Sequence, residues 1–551
     1  MEDIVRHSFV GDFLHLASGG RLFKFPDQRP GFKFPVDEAD PVPIPDASIS
    51  APEHEKEKLS AIDADSSTRT TRQPEDAEAG KDPNLVDWYG PDDPENPQNW
   101  STGRKAFVMA QLCLLTTSLY MGASIYTPGV EQLMEDFNIS AVVASIPLCM
   151  YVFGYGIGQM LFAPLSEVPA VGRNWVYLPT MIIFVVLQVP TALAKNIGSL
   201  IVLRFIAGFF CSPALSNGGA SMGDILGPAS VPYGIATWAG AAVCGPVLGP
   251  LLGGVFTQIK DWRWAFWCLL WISGFALIVL LFGLPETFGP TVLSRRAKRL
   301  RKLTGNQNLT TKAELEFSAV STGAMISDNL IRPFIISFLE PGVLMLNIYT
   351  GFMYAVLYTW FEAFPIVFSG IYHFNTIQSG VAFCGLLVGC IIGCTIYMYL
   401  IKYKIIPWLM AGHRPEVLFK IAFFASPLLP LALIFFGWSS TATANWIAPI
   451  IASGLFVLGG FIVFQVLFNY LGMSYPRYLA SVFAGNGLFR SGVAGAFPLF
   501  ARQLFVRLGP SKFPIGFGST VLAGIAAILA MLPFFFYRAG HLMRARSKYA
   551  N

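Results

Sequence analysis

Twelve apolar runs of roughly 20 residues each fix most of what this chain can become. At about 1.5 Å per residue, a helix of that length crosses a hydrocarbon core of roughly 30 Å. The runs fall near 106–126, 141–164, 175–194, 199–222, 232–257, 264–284, 342–364, 378–401, 416–437, 446–470, 480–501 and 517–537. In lipid, backbone groups must be satisfied within the protein, so each run is expected to be a helix. Of 551 residues, 13% are charged. A soluble domain carries about 25%, so the composition points to an all-α, polytopic membrane protein. A long break at 285–341 divides the runs into two sets of six. Five regions follow: a tail at 1–105, a six-helix half at 106–284, a basic linker at 285–341, a second six-helix half at 342–537 and a short tail at 538–551.

Charge sets the expected orientation. Residues 1–105 hold 21 of the 34 acids and 12 of the 38 bases, which leaves the remainder with a basic excess of 13. With the N-terminus inside, the outer loops hold only Lys195, Lys260, Arg263, Arg502, Arg507 and Lys512. The inner loops and C-terminal tail hold 18 bases, eight of them in the linker, mostly in SRRAKRLRK (294–302). Positive charge stays on the cytoplasmic side, so both termini are expected there, and the excess need not imply nucleic acid. The basic run reads either as a contact for anionic lipid or a partner, or as a solvated topology signal. Residues 1–25 are weakly amphipathic and fit a short surface helix or a partly disordered tail. Residues 27–104 are rich in proline and charge and read as disordered. Their last stretch, VDWYGPDDPENPQNWS (86–101), mixes aromatics with acids, as a docking segment would. The eight cysteines all sit in apolar runs, so neither a disulfide framework nor a metal site is expected.

The stretch from Gly234 to Gly254, GIATWAGAAVCGPVLGPLLGG, is apolar enough to span lipid. Its glycines should weaken a helix, and Pro246 and Pro250 should kink it. Gly245, Gly249 and Gly253 stand four apart, so one face has almost no side chains and a neighbouring helix can approach closely. The stretch resembles the fifth-helix motif G-x6-G-x3-G-P-x2-G of drug:proton antiporters of the major facilitator superfamily. Gly234, Gly245, Pro246 and Gly249 match it, and Ala241 replaces one glycine. The resemblance implies two six-helix halves and gives the kinked helix, Pro250 included, a role in restricting leak and setting direction.

Other motifs extend the likeness. The segment GQMLFAPLSEVPAVGRNWVY (158–177) resembles the superfamily's signature loop G-x-L-x-D-R-x-G-R, with Glu167 near the acid position and Gly172 and Arg173 at its end. The residues are those of a charge latch that pairs helix ends across the two halves in one state, or of a simple interfacial cap. Arg204 lies within an apolar run, where a centred charge costs roughly 2.5–3.5 kcal/mol. With Gly208 it resembles the fourth-helix R-x3-G motif implicated in proton coupling; the alternative is that it snorkels to the outer interface. Asp224 closes the same span. In span seven, Asn347, Gly351, Tyr354, Tyr358 and Glu362 share one helical face, which suits an amphipathic aromatic ligand. Glu362 is either a proton-titrated carboxylate or an interfacial anchor. Gln111, Gln465, Asn469, Asn486 and Arg490 are further polar candidates for substrate contact, each equally able to be interhelical glue. The lead-in to span one, the PET at 285–287 and SVFAGNGLFRS (481–491) also resemble fungal members of this family, nearest the yeast exporters of fluconazole and benomyl.

The resemblance implies multidrug efflux at the plasma membrane, driven by the proton gradient with no cofactor and no metal. The partners would be protons, lipid and drug-like hydrophobic molecules, with the chain acting as a monomer. No G-x4-G-K-[ST] loop is present, which argues against ATP-driven export, and no enzyme motif appears in a suitable context. The alternatives are a proton-coupled transporter of an endogenous metabolite and a non-transporting nutrient sensor.

Overall fold

The computed structural model describes residues 6, 8–18, 22, 25, 28, 84–227, 229–319, 331–475, 478–510 and 513–550. The stretch 29–83, most of the segment read as disordered, lies outside them, as do Ile4 and Val5 of the amphipathic start.

Eleven of the described helical segments are long and apolar enough to cross a membrane: Thr102–Phe137, Ala141–Leu165, Asn174–Ala192, Ile197–Ile225, Val231–Ile259, Arg263–Gly283, Pro341–Ser369, Thr376–Met410, Pro415–Ser439, Ile447–Ser474 and Gly516–Arg546. The remaining run folds as Leu479–Leu508, a helix of 30 residues. It is as long as the others but less apolar, because it carries Asn486, Arg490, Arg502 and Arg507. It takes the eleventh place in chain order, giving twelve spans. Local chemistry sets several starts. The Ser140 hydroxyl accepts from Val143 N, Asn196 Oδ1 accepts from Ser199 N at 2.7 Å, and Asn375 and Gln378 form a reciprocal capping box. The fourth span, expected as one helix, breaks at Ser212 because Pro213 begins its second segment, Pro213–Ile225.

The two halves repeat one packing pattern. Span one lies along five, two along four and three along six; seven lies along eleven, eight along ten and nine along twelve. Each pair in the second half is the first-half pair advanced by six. The halves meet through spans two and eleven and through spans five and eight.

On one face, which carries the linker, the chain folds back on itself. The linker helix Gly289–Thr304 receives the segment 84–101. Val86 N donates to Thr310 O, and Thr310 N to Asn84 O. Arg296 is 1% exposed and pairs with Asp93 at 2.6 Å and Glu95 at 3.2 Å; Arg299 pairs with Glu95, and Arg301 with Glu314. Burial alone would raise the Asp93 carboxyl, but the bonds from Arg296 and from the Tyr89 and Glu95 amides outweigh it and hold it below the ordinary value. The basic run is therefore not solvated throughout: four of its arginines are paired with acids of this chain, while Lys298 and Lys302 stay exposed. The fourth pair joins Arg295 to Asp12 on a short helix, Phe9–Ala17. That helix rests Phe9 against Trp175 at the start of span three, with ring centroids 4.8 Å apart.

Candidate functional site: a central cavity and its two ends

A cavity of about 610 Å³ lies between the halves. Its wall is largely aromatic and aliphatic: Tyr120, Trp238, Phe361, Phe456, Phe461 and Phe464 all contribute. It runs from the middle of the bundle to Glu167, Arg173 and Asp224 at the linker face. From its inner end outward, the far ends of the spans close. Ser145 Oγ of span two donates to Glu362 Oε1 of span seven at 2.7 Å. Tyr155 OH of span two meets Tyr354 OH at 2.9 Å and Tyr358 OH at 3.2 Å. Ile377 N of span eight donates to Gln258 Oε1 of span five at 3.1 Å.

Of the polar residues picked out for substrate contact, three line this cavity: Tyr354, Tyr358 and Arg490. Five do not. Asn486 Nδ2 donates to Asn347 Oδ1 at 2.8 Å and to Thr350 Oγ1 at 2.9 Å, so this pair ties span eleven to seven. Asn469 Nδ2 donates to Tyr397 OH at 2.8 Å, tying span ten to eight, and Gln465 sits buried one turn away. Gln111 Nε2 donates to Gly283 O at 3.0 Å and joins span one to six. These correct the expectation: Gln111, Asn347, Asn469 and Asn486 are bonded to neighbouring helices, and Gln465 is buried away from the cavity. The residues missed were mostly Trp238 and the phenylalanines of span ten. Their signal was an aromatic among small residues, which sequence alone cannot tell from lipid-facing filler.

The fifth span packs its small-residue face on span one. A Cβ at Gly245 would lie 2.6 Å from Tyr120 Cβ, and one at Gly249 would lie 2.2 Å from Ser124 Oγ. The approach has a purpose in the backbone. Pro250 has no N–H to give to the carbonyl four residues back, Pro246 O, and in lipid that oxygen would go unpaired. Ser124 Oγ supplies the bond at 2.8 Å. Only a glycine at 249 leaves room for it. Gly234 sits instead at the linker end of the span, against Leu226 and Met222.

Arg204 is 1% exposed, so it does not snorkel to an interface. Its Nη1 donates to Gly122 O at 2.5 Å and its Nη2 to Ala123 O at 2.9 Å. The guanidinium also lies over the Tyr151 ring at 4.3 Å and the Tyr126 ring at 5.1 Å. No carboxylate pairs with it among the described residues. Gly208 allows this packing, since a Cβ there would lie 2.1 Å from Tyr151 O.

At the linker face, Arg173 is the hub. Its Nε donates to Asp224 Oδ2 at 3.1 Å and its Nη1 to Ser166 Oγ at 2.6 Å, with the half-exposed Glu167 3.7 Å away. Glu286, of the PET segment, accepts from Arg173 N at 3.0 Å and Asn174 N at 3.2 Å and so caps span three. Gly172 holds a left-handed φ of +78°, and a Cβ there would lie 2.6 Å from Glu286 Oε2. All these groups belong to the first half or, for Glu286, to the linker that directly follows it. The pairing expected across the halves is not made, because the cavity opens between them at this end. Asp224, expected as a proton-coupling acid, is engaged by Arg173, while Glu362 stands at the opposite, closed end.

The family model of the Major Facilitator Superfamily matches residues 112–498. The chain is 42% identical to the cycloheximide resistance protein of Candida maltosa, covering 100% of both. It is 42% identical to fluconazole resistance protein 1 of Saccharomyces cerevisiae, over 92% of this chain and 91% of that protein. Its fold is similar to that of the xylose transporter XylE from E. coli in a partially occluded inward open conformation. The TM-score is 0.54 at 16% identity, over 78% of this chain and 99% of that one, a likeness of fold alone.

Proposed function

Because this chain belongs to the Major Facilitator Superfamily, we propose that it exports hydrophobic and amphipathic compounds, azole antifungals and benomyl-like fungicides among them, by proton antiport. The observation that carries the reading is the aromatic cavity, which sits between two repeated halves and reaches one face only. Such a wall suits flat apolar molecules that stack on rings. The names of the relatives, fluconazole and cycloheximide resistance proteins, support the same class of cargo.

The rest of the proposal follows from charge. The linker face carries the basic excess, so it is cytoplasmic, as are both termini. The cavity then loads from the cytoplasm, and the Ser145–Glu362 and tyrosine contacts form the closed outer end. Rocking of the halves would break these contacts and expose the cargo outside. Glu362 is the membrane-embedded carboxylate whose hydrogen bond joins the halves, so its protonation state weights open against closed. Arg204 is a fixed charge nearby: it lies over the Tyr126 ring, and Tyr126 OH accepts from Leu148 N and donates to Ala144 O, next to Ser145. The protein works as a monomer in the plasma membrane, takes its energy from the proton gradient and needs no cofactor. Expression in a drug-sensitive yeast should lower fluconazole accumulation, and a protonophore should abolish the effect. Efflux that survives the protonophore but stops on ATP depletion at a maintained gradient would refute the proposal.

A further inference from the structure

We infer that the cavity selects its cargo by charge: it takes neutral or anionic apolar molecules that present a hydrogen-bond acceptor to Arg490, and it turns lipophilic cations away. This rests on the export reading above and names its substrate class.

Four charged side chains line the cavity: Glu167, Arg173, Asp224 and Arg490. The first three are gathered at the linker face, where Arg173 contacts both acids. Arg490 stands apart. Its guanidinium lies 4.9 Å from the Tyr354 ring centroid and 5.2 Å from that of Phe464, and it has no ion pair or hydrogen bond with any described residue. Its Nε is closed off from solvent and unpartnered. Ring faces compensate a buried cation only in part, so an uncompensated positive charge faces the space where cargo would sit. A ligand carrying a carbonyl, azole or carboxylate acceptor would give this guanidinium the partner it lacks.

The wall offers a cation little. The wall's two carboxylates, Glu167 and Asp224, both lie at the linker face against Arg173, apart from Arg490, and neither Glu286 nor Glu362 reaches the wall. Like charges repel strongly where water is scarce.

The test uses tetraphenylborate and tetraphenylphosphonium, which match in size and shape and differ in sign. Each is titrated calorimetrically into the purified full chain in detergent, for wild type, Arg490→Gln and Arg490→Lys. Partition into the micelle is common to the three and cancels from the comparison. The anion-to-cation affinity ratio should fall about tenfold or more in Arg490→Gln and stay near wild type in Arg490→Lys. An unchanged ratio in Arg490→Gln, or binding of neither probe to wild type, overturns the inference. If Arg490→Gln does not fold, Arg490→Met takes its place with the same two outcomes. Fluconazole efflux by the wild type is measured alongside. Loss of efflux with the charge preference intact fails the export reading alone, whereas efflux with an unchanged ratio fails only the charge selection.

Discussion

Ser124 shows how a single side chain decides what a kinked membrane helix can be. Its hydroxyl gives Pro246 O the bond that Pro250 cannot, and Gly249 makes the space. Gly249→Ala should push the hydroxyl off that oxygen and cost about 1–3 kcal/mol, seen as a lower melting temperature and weaker efflux at equal surface expression. Gly249→Leu should be worse. Ser124→Ala should cost a similar amount by leaving the carbonyl unpaired. Equal stability of all three with wild type would mean that spans one and five do not touch here. Arg204 belongs to the same scale. Its fork reaches two carbonyls at once, and an ammonium offers a point charge in place of that planar fork. Arg204→Lys should therefore keep part of the export activity and Arg204→Ala almost none, with both present at the membrane and still binding a labelled drug. Wild-type export by Arg204→Ala would remove this residue from the mechanism.

At the scale of elements, the spans were legible and their partners were not. Hydropathy is a property of each run by itself, so the runs near 141–164 and 264–284 matched helices Ala141–Leu165 and Arg263–Gly283 within a few residues. The glycine spacing of span five announced a close neighbour without naming span one. Asn347 and Asn486 read as ligand contacts because a face can be assigned from periodicity, while what fills that face depends on a helix 139 residues away. The break in span four at Pro213 was written in the sequence, but apolarity on both sides concealed it. The short helix Phe9–Ala17 supplies an element-scale test. Burial pushes the Asp12 carboxyl up to about 6, against the pull of Arg295. A carboxyl whose docked pKa lies above its undocked value of 3.8 favours docking when protonated. Docking should thus weaken as pH rises from about 4 through about 6 and level off above it. Amide exchange in residues 9–17, corrected for intrinsic rates, should be more protected at pH 5 than at pH 7.5. In Asp12→Asn the difference should vanish; if it persists, Asp12 is not the group that titrates.

For the whole molecule, the organising fact is that the second half repeats the packing of the first, with the cavity at the seam. The sequence divides into two sets of six at the linker, but the repeat shows little in the residues because packing constrains size and crossing more than identity. The aromatic cavity wall was half visible, in Tyr354 and Tyr358, and half hidden in spans five and ten. The central claim is that a proton gradient alone moves drug through this seam, with Glu362 as the acid that links the two. The most direct measurement is fluconazole transport in proteoliposomes of the purified chain, with a pH step imposed and no ATP present. Wild type should concentrate the drug against its gradient only while the pH difference lasts and only in the direction opposite to proton flow. Glu362→Gln, which can still accept from Ser145 but cannot titrate, should let the drug equilibrate and no more. Accumulation that is indifferent to the pH step in wild type, or undiminished in Glu362→Gln, would contradict the account.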